Sequence, residues 1–301
     1  MIEFKTYKES YLDDQVALIK EVIGKWDWVI WYPNEETLKR NYSQEGFTPE
    51  TRHYVFDGEK LVGFLSSAIE GERDGIVWGS IHLPFIKKGY EHIEKDLMKV
   101  TVKVLEKKGA NAIRAIAMPG WGDQIPILER WGFNERLLLS QVTIFPTSTL
   151  FDGDYKAPKY IQEIDINKNK ELLIKTICKV HSIPKDKFPK HYENMLTDKE
   201  FVTGAIIDTE DYSLYGFLTK GCDYMEIPDR LFFTMEFRTE ESSDINIESI
   251  INEIFKFFSF KAQNAGYKFL WYQITNLDKF DFHKKLNLKF DPCYRYNHKI
   301  S

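Results

Sequence analysis

The residues of this 301-residue chain whose types and spacing can do chemistry lie mostly in its first half. His82 closes the β-rich run Ile81-His82-Leu83-Pro84, and an imidazole there has a suitable intrinsic pKa for taking a proton near neutrality. A strand-end histidine is also often a packed or capping residue. Glu70 and Glu72, at the end of the preceding run, are alternative bases, or, with Arg73 and Asp74, a solvated turn. The stretch Ile86-Lys87-Lys88-Gly89-Tyr90-Glu91 leads into an amphipathic segment. Free backbone N–H groups at such a helix start, exposed by a small residue, form a cradle for phosphate. Gly89 can also simply turn the chain into the helix, with Glu91 as a first-turn acid favoured by the helix dipole. Cys178 and His181 fall three apart on a predicted helix face, where packing explains them better than a nucleophilic pair does.

Other chemistries are excluded by spacing. No His/Cys grouping has zinc-site spacing, no Gly-x-Ser-x-Gly elbow is present, and no phosphate loop ends in Gly-Lys-Ser/Thr, so no metal is expected. The net charge of −5 gives no electrostatic footprint for a nucleic acid. No apolar run reaches the roughly 18 residues of a membrane span, and Met1-Ile2-Glu3-Phe4-Lys5 lacks a secretory apolar region. The expectation is a cytoplasmic protein without a membrane or nucleic-acid partner. Three widely spaced cysteines, Cys178, Cys222 and Cys293, fit free thiols in a reducing compartment. Nothing sets the oligomeric state.

Positioning elements emerge from an internal repeat. Leu61-Val62-Gly63-Phe64-Leu65 recurs as Leu214-Tyr215-Gly216-Phe217-Leu218, each after a short polar turn. Lys108-Gly109-Ala110 answers to Ala265-Gly266-Tyr267, and Phe133 to Phe290, at one constant offset. Before each glycine lies a helical face: Ile93, Leu97, Val100, Val104 and Leu105 in the first copy, Ile247, Ile251, Ile254, Phe255 and Phe258 in the second. Each helix feeds a β-rich run, 112–117 and 269–275, so strand, helix and strand form a parallel crossover. The predicted order in each copy is a β-like start, helices, antiparallel strands, the crossover, and a last helix with a closing strand. The fold class is α/β, with a mixed sheet flanked by helices in each of two tandem domains: residues 1–146, a linker at 147–158, and residues 159–301.

That element order resembles the GNAT acyltransferase family. The resemblance spans nearly the whole chain, and the first copy carries the better motifs. Ile81-His82-Leu83-Pro84 stands where the family's fourth strand ends, and Gly89 matches the first glycine of the loop that binds the coenzyme A pyrophosphate. The sequence departs from the pattern in four places. Ile86 replaces Arg/Gln, Glu91 replaces the second small residue, Leu128 stands where a tyrosine serves as general acid, and Gly120-Trp121 replaces an asparagine. In the second copy the corresponding stretch, 238–246, holds no glycine and is acidic.

The resemblance implies an N-acyltransferase that moves an acetyl group from acetyl-CoA to an amine on a small molecule or peptide. Ile81, Leu83, Lys87, Lys88, Gly89 and Tyr90 would hold the donor, and His82 or Glu70 would act as base. Trp26, Trp28, Trp31 and Tyr32 cluster after the first helix, where the family builds its acceptor wall, although a hydrophobic plug between the domains would use the same residues. The alternative is a non-catalytic binding or regulatory protein that keeps the fold with a decayed coenzyme A site.

Overall fold

A computed structural model describes residues 1–27, 33–82, 84–150, 155–197, 199–220, 229–239 and 246–300. In chain order the elements of the first half are β1 (Ile2–Thr6), α1 (Leu12–Ile23), α2 (Glu35–Tyr42), β2 (Arg52–Asp57), β3 (Lys60–Arg73), β4 (Ile76–Ile81), β5 (Phe85–Ile86), α3 (Glu94–Lys107), β6 (Ala112–Ala117), α4 (Gln124–Arg130) and β7 (Glu135–Pro146). The second half holds β8 (Gln162–Ile164), α5 (Ile166–His181), α6 (Lys190–Met195), β9 (Phe201–Asp208), β10 (Tyr212–Thr219), β11 (Arg230–Thr239), α7 (Ile247–Asn264), β12 (Phe269–Ile274) and β13 (Asp291–Lys299). Where the sequence predicts a last helix in the second copy, the chain forms a 3-10 helix, Leu277–Leu286.

These elements build two compact units. Among the described residues the first comprises 1–139 with 291–300, and the second comprises 140–220 with 229–290. Each unit therefore closes with a strand from the other half of the chain. In the first unit β13 pairs antiparallel with β6, Tyr294 opposite Ala117 through Lys299 opposite Ala112. In the second, β7 pairs antiparallel with β12, Gln141 opposite Ile274 through Pro146 opposite Phe269. The sequence reading gave each copy its own closing strand; the two are exchanged. A boundary between residues 146 and 158 thus does not follow the compact units. Pairing partners of terminal strands are chosen by long-range register, which the local residue pattern does not encode.

Within the first unit the strand order is β1-β2-β3-β4-β6-β13, with β5 beside β3. Only β4 and β6 run parallel, joined by the α3 crossover. Asp74 and Gly75, at φ of 56° and 74°, make the tight turn from β3 to β4. On one face of the sheet α3 buries Leu97, Met98 and Leu105 against Ile113, Ala115 and Ala117. On the other, α1 buries Leu18, Ile19 and Ile23 against Tyr54, Phe64 and Phe85. The second unit repeats this plan in the order β7-β12-β11-β10-β9-β8. There α7 packs Ile251, Ile254, Phe255 and Phe258 onto Leu231, Phe233 and Leu270.

The repeated glycines have a common cause. A Cβ on Gly63 would lie 2.7 Å from the Ile93 side chain, and one on Gly216 would lie 2.6 Å from Phe258. Both copies let an apolar side chain press directly onto the central strand. The helix ends also match. Gly109 and Gly266 sit at φ of 91° and 86°, and the residues after them close the turn, Ala110 N–H to Leu105 O and Tyr267 N–H to Ala262 O, both at 3.0 Å. Among the described residues no helix is long and apolar enough to cross a membrane.

Candidate functional site

In the first unit β4 and β6 pair for only three residues: Trp78 with Ala112, Gly79 with Ile113, and Ser80 with Arg114. Beyond Ser80 they part. His82 stays with β3, its N–H donating to Ser66 O at 2.8 Å, while Ala115, Ile116 and Ala117 keep only the β13 pairing that runs along the other edge of β6. The facing edges of β4 and β6 beyond Ser80 and Arg114 therefore carry no ladder pairing among the described residues, which leaves a backbone slot beside the buried Ile81. Gln124, first residue of α4 and only 3% exposed, crosses the far end by donating from Nε2 to Pro84 O at 3.4 Å. Its Oε1 is buried with no hydrogen-bond partner, as is Trp121 Nε1 close by in sequence. An unpaired buried acceptor is costly and is satisfied by a ligand N–H.

The sheet face at this slot is not covered by α3. Ile81, Ala115 and Ala117 belong to the core under α3, so their neighbours His82, Arg114 and Ile116 point the other way. The Arg114 guanidinium lies 4.4 Å from the centre of the Trp78 ring and pairs with Glu70 at 3.0 Å. Glu70 is therefore brought to the same face as His82, but as the counter-ion of Arg114. His82 is solvent-accessible, yet crowding by protein atoms, aided by the Arg52 guanidinium, lowers its pKa below the ordinary imidazole value, with Glu70 pulling the other way. Kept neutral at pH 7, the imidazole is a proton acceptor.

The loop before α3 is arranged differently from a vacant phosphate cradle. Gly89 adopts a φ of 93°, and its N–H donates to Glu91 Oε1 at 2.9 Å. This bond holds the Glu91 carboxyl below its usual pKa range. Lys87 pairs with Glu21 of α1 at 2.6 Å, and Tyr90 donates its hydroxyl to Asp57 at 3.2 Å. Lys88 is exposed beside Glu91. In this loop the chain's own carboxylate occupies the backbone donor that a pyrophosphate would need.

Of the aromatic cluster, Trp26 stacks on Trp121 and Phe85, with ring centres 5.8 and 6.1 Å apart. Trp28, Trp31, Tyr32 and Leu83 lie outside the described residues. Leu128 is fully buried in the α3 core and supplies no proton. Cys178 and His181 do not pair: His181 Nε2 bonds the Tyr215 hydroxyl at 2.7 Å. Gln124 and Trp121 were not singled out as site residues from the sequence. Their only signal was the missing family asparagine a few positions earlier.

The second unit shows the same parting of strands in a filled form. β11 and β12 pair from Arg230–Phe269 to Phe233–Tyr272, after which β11 continues to Thr239 paired only with β10. On that stretch the Lys279 ammonium bonds Phe237 O and lies 3.1 Å from the Glu236 carboxylate. Beneath it, His283 Nδ1 donates to Lys279 O at 2.9 Å, which leaves Nε2 to accept from the Tyr272 hydroxyl at 2.9 Å.

The sequence matches no protein-family model and no curated protein. The fold does have solved likenesses. A tandem GNAT protein from the clavulanic acid biosynthesis pathway superposes with a TM-score of 0.65 at 11% identity, over 99% of this chain and 98% of that one. A GNAT-family acetyltransferase from Colwellia psychrerythraea gives 0.62 at 11% identity, over 99% and 100%. The N-myristoyltransferase of Saccharomyces cerevisiae with bound myristoyl-CoA gives 0.51 at 12% identity, over 100% and 80%. At these identities the likeness establishes architecture: the chain carries the GNAT acyltransferase fold, built twice in tandem.

Proposed function

We propose that the first unit is an N-acyltransferase that takes an acetyl group from acetyl-CoA and passes it to an amine. The observation that carries this reading is the end of the β4–β6 ladder at Ser80 and Arg114, beside an accessible His82. A pantetheine arm is an extended chain with amide groups, and it needs backbone edges of the kind this slot offers. Gln124 Oε1, buried and unpaired, would accept a pantetheine N–H. The amine nitrogen attacks the thioester carbonyl, its proton goes to His82 directly or through a water, and the C–S bond breaks to release the thiolate. With Leu128 in the tyrosine position, protonation of that thiolate falls to solvent.

Isothermal titration of acetyl-CoA into the full chain tests donor binding, and release of coenzyme A thiol with an amine panel tests transfer. Absence of heat at millimolar acetyl-CoA would sink the reading. A second reading rests on the Gly89–Glu91 bond: a non-catalytic binding protein whose pyrophosphate cradle has been taken over by its own carboxylate. Under that reading Glu91→Gly brings a large gain in coenzyme A affinity, and no amine is acylated by either form.

A further inference from the structure

The open face beside His82 continues onto β13. Tyr296 belongs to the core under α3, so Arg295 and Asn297 point to the opposite side, the side of His82 and Arg114. Register places Arg295 across from Ile116, and Ile116 is two residues beyond Arg114, which pairs with Ser80. Arg295 is thus level with His82, two strands away. Adjacent strands lie about 4.8 Å apart, so the two backbones are about 10 Å apart, or more where the strands part.

Arg295 lines a cavity of about 520 Å³ with Trp78, Glu135, Leu137, Asn297 and Lys299. The residue is half-buried and its Nε wholly buried, yet no hydrogen bond or ion pair reaches its side chain among the described residues. Of the other charges nearby, Glu70 neutralises Arg114, while Glu135, which accepts from the neutral Asn297 Nδ2 at 3.0 Å, and Lys299 keep theirs and balance each other in the lining. A partly desolvated guanidinium without a counter-ion is unfavourable, and a planar carboxylate answers it with two parallel hydrogen bonds. Glu135 in the same lining disfavours a dianion such as phosphate, whereas a carboxylate carries one charge.

We infer that this cavity is an acceptor subsite for a carboxylate, and that the acceptor is an amine carrying a carboxylate at the far end of a short chain. This rests on the acyltransferase reading for the fate of the amine, but the binding claim stands apart from it. Arg295 holds the carboxylate and the chain lies across Ile116, which is 47% exposed, so the amine reaches His82 at the slot. Arg295 comes from the exchanged strand, so the subsite exists only when β13 is in place.

The test is isothermal titration of the full chain with straight-chain ω-amino acids from aminobutanoate to aminohexanoate, each against the alkylamine of equal length. The wild type should bind the acids at least tenfold more tightly, and Arg295→Met should bring acid and amine to equal affinity, with Arg295→Lys in between. Arg295→Met keeps the apolar stem and should melt no lower than the wild type, which separates lost binding from lost folding. Equal affinity for acids and amines in the wild type, or a preference that survives in Arg295→Met, would overturn the subsite. Acid binding that depends on Arg295 without any thiol release would instead overturn the transfer reaction and leave the subsite standing.

Discussion

Glu91 accepts a hydrogen bond from the backbone N–H of Gly89, 2.9 Å away and two residues back along the chain. A side-chain carboxylate thus sits on the donor that a pyrophosphate would need. Glu91→Gly removes a like charge from an incoming phosphate and frees the N–H. Coenzyme A affinity should rise about tenfold, and the gain should shrink in high salt. Titration of wild type and variant at two ionic strengths checks this; an unchanged affinity would show that the loop lies outside the donor site.

Gln124 should trade stability for binding. Its Oε1 is buried without a partner, so Gln124→Leu removes an unsatisfied acceptor at the cost of one long hydrogen bond to Pro84 O. The melting temperature should hold or rise while acetyl-CoA binding weakens severalfold. A variant that binds acetyl-CoA as well as the wild type would remove Gln124 from the site.

As the proton acceptor, His82 must be neutral in the reacting enzyme, and its pKa is lowered from 6.5. The rate at low substrate should therefore fall on the acid side at a pH below 6.5 and be flat through neutrality. His82→Ala should lose about a hundredfold or more, together with that acid limb. A limb that persists in His82→Ala assigns it to another group.

Two buried histidines make both units sensitive to acid. His53 in the first unit and His283 in the second are pushed down to about 4, chiefly by burial. Between pH 6.5 and about 4 the unfolded chain takes up these protons and the folded chain does not, so stability falls as pH falls through that window. Each histidine contributes up to ~1.4 kcal/mol per pH unit, about 3 kcal/mol in all. Denaturant melts of wild type and His53→Gln from pH 7.5 to 4.5 should show a shallower loss in the variant; parallel curves would show that His53 does not carry the acid sensitivity.

The exchanged strands predict what fragments do. Residues 1–146 alone lack β13 and with it Tyr296, a side chain 1% exposed in the α3 core. Removing a buried aromatic of this size costs about 3–5 kcal/mol, and β6 is left as a bare edge. The fragment should show no cooperative melt, and a peptide spanning 287–301 should restore one. A fragment that melts cooperatively without the peptide would show that β13 is dispensable.

Much of the architecture was readable because it is written locally. Gly63 and Gly216 mark the same close approach of a side chain, and Gly109 and Gly266 the same helix ending, so a pattern within a few residues fixed both. The exchange of β7 and β13 was not readable, because either strand alternates suitably for either sheet and the choice depends on contacts across the whole chain. Gln124 was missed for the same reason: its importance comes from Pro84, 40 residues away. Glu91 stood out as a departure, and the sequence suggested bulk and repulsion. The fold shows that it also acts as an internal anion. Arg295 drew no notice, since only the exchange carries it to the face of His82.

The order of residues along the chain makes the second unit an insertion within the first. Everything in the second unit's described span, 140–290, lies between the part of the first unit that begins at Met1 and the strand that closes it. During synthesis the second unit can finish while β6 still waits for its neighbour, and the first unit becomes whole only when β13 has been made. A single cut between residues 147 and 158 would likewise free neither half, since each piece would keep a strand embedded in the other's sheet. Each of the two units is thus completed only by a strand that the other half of the chain supplies.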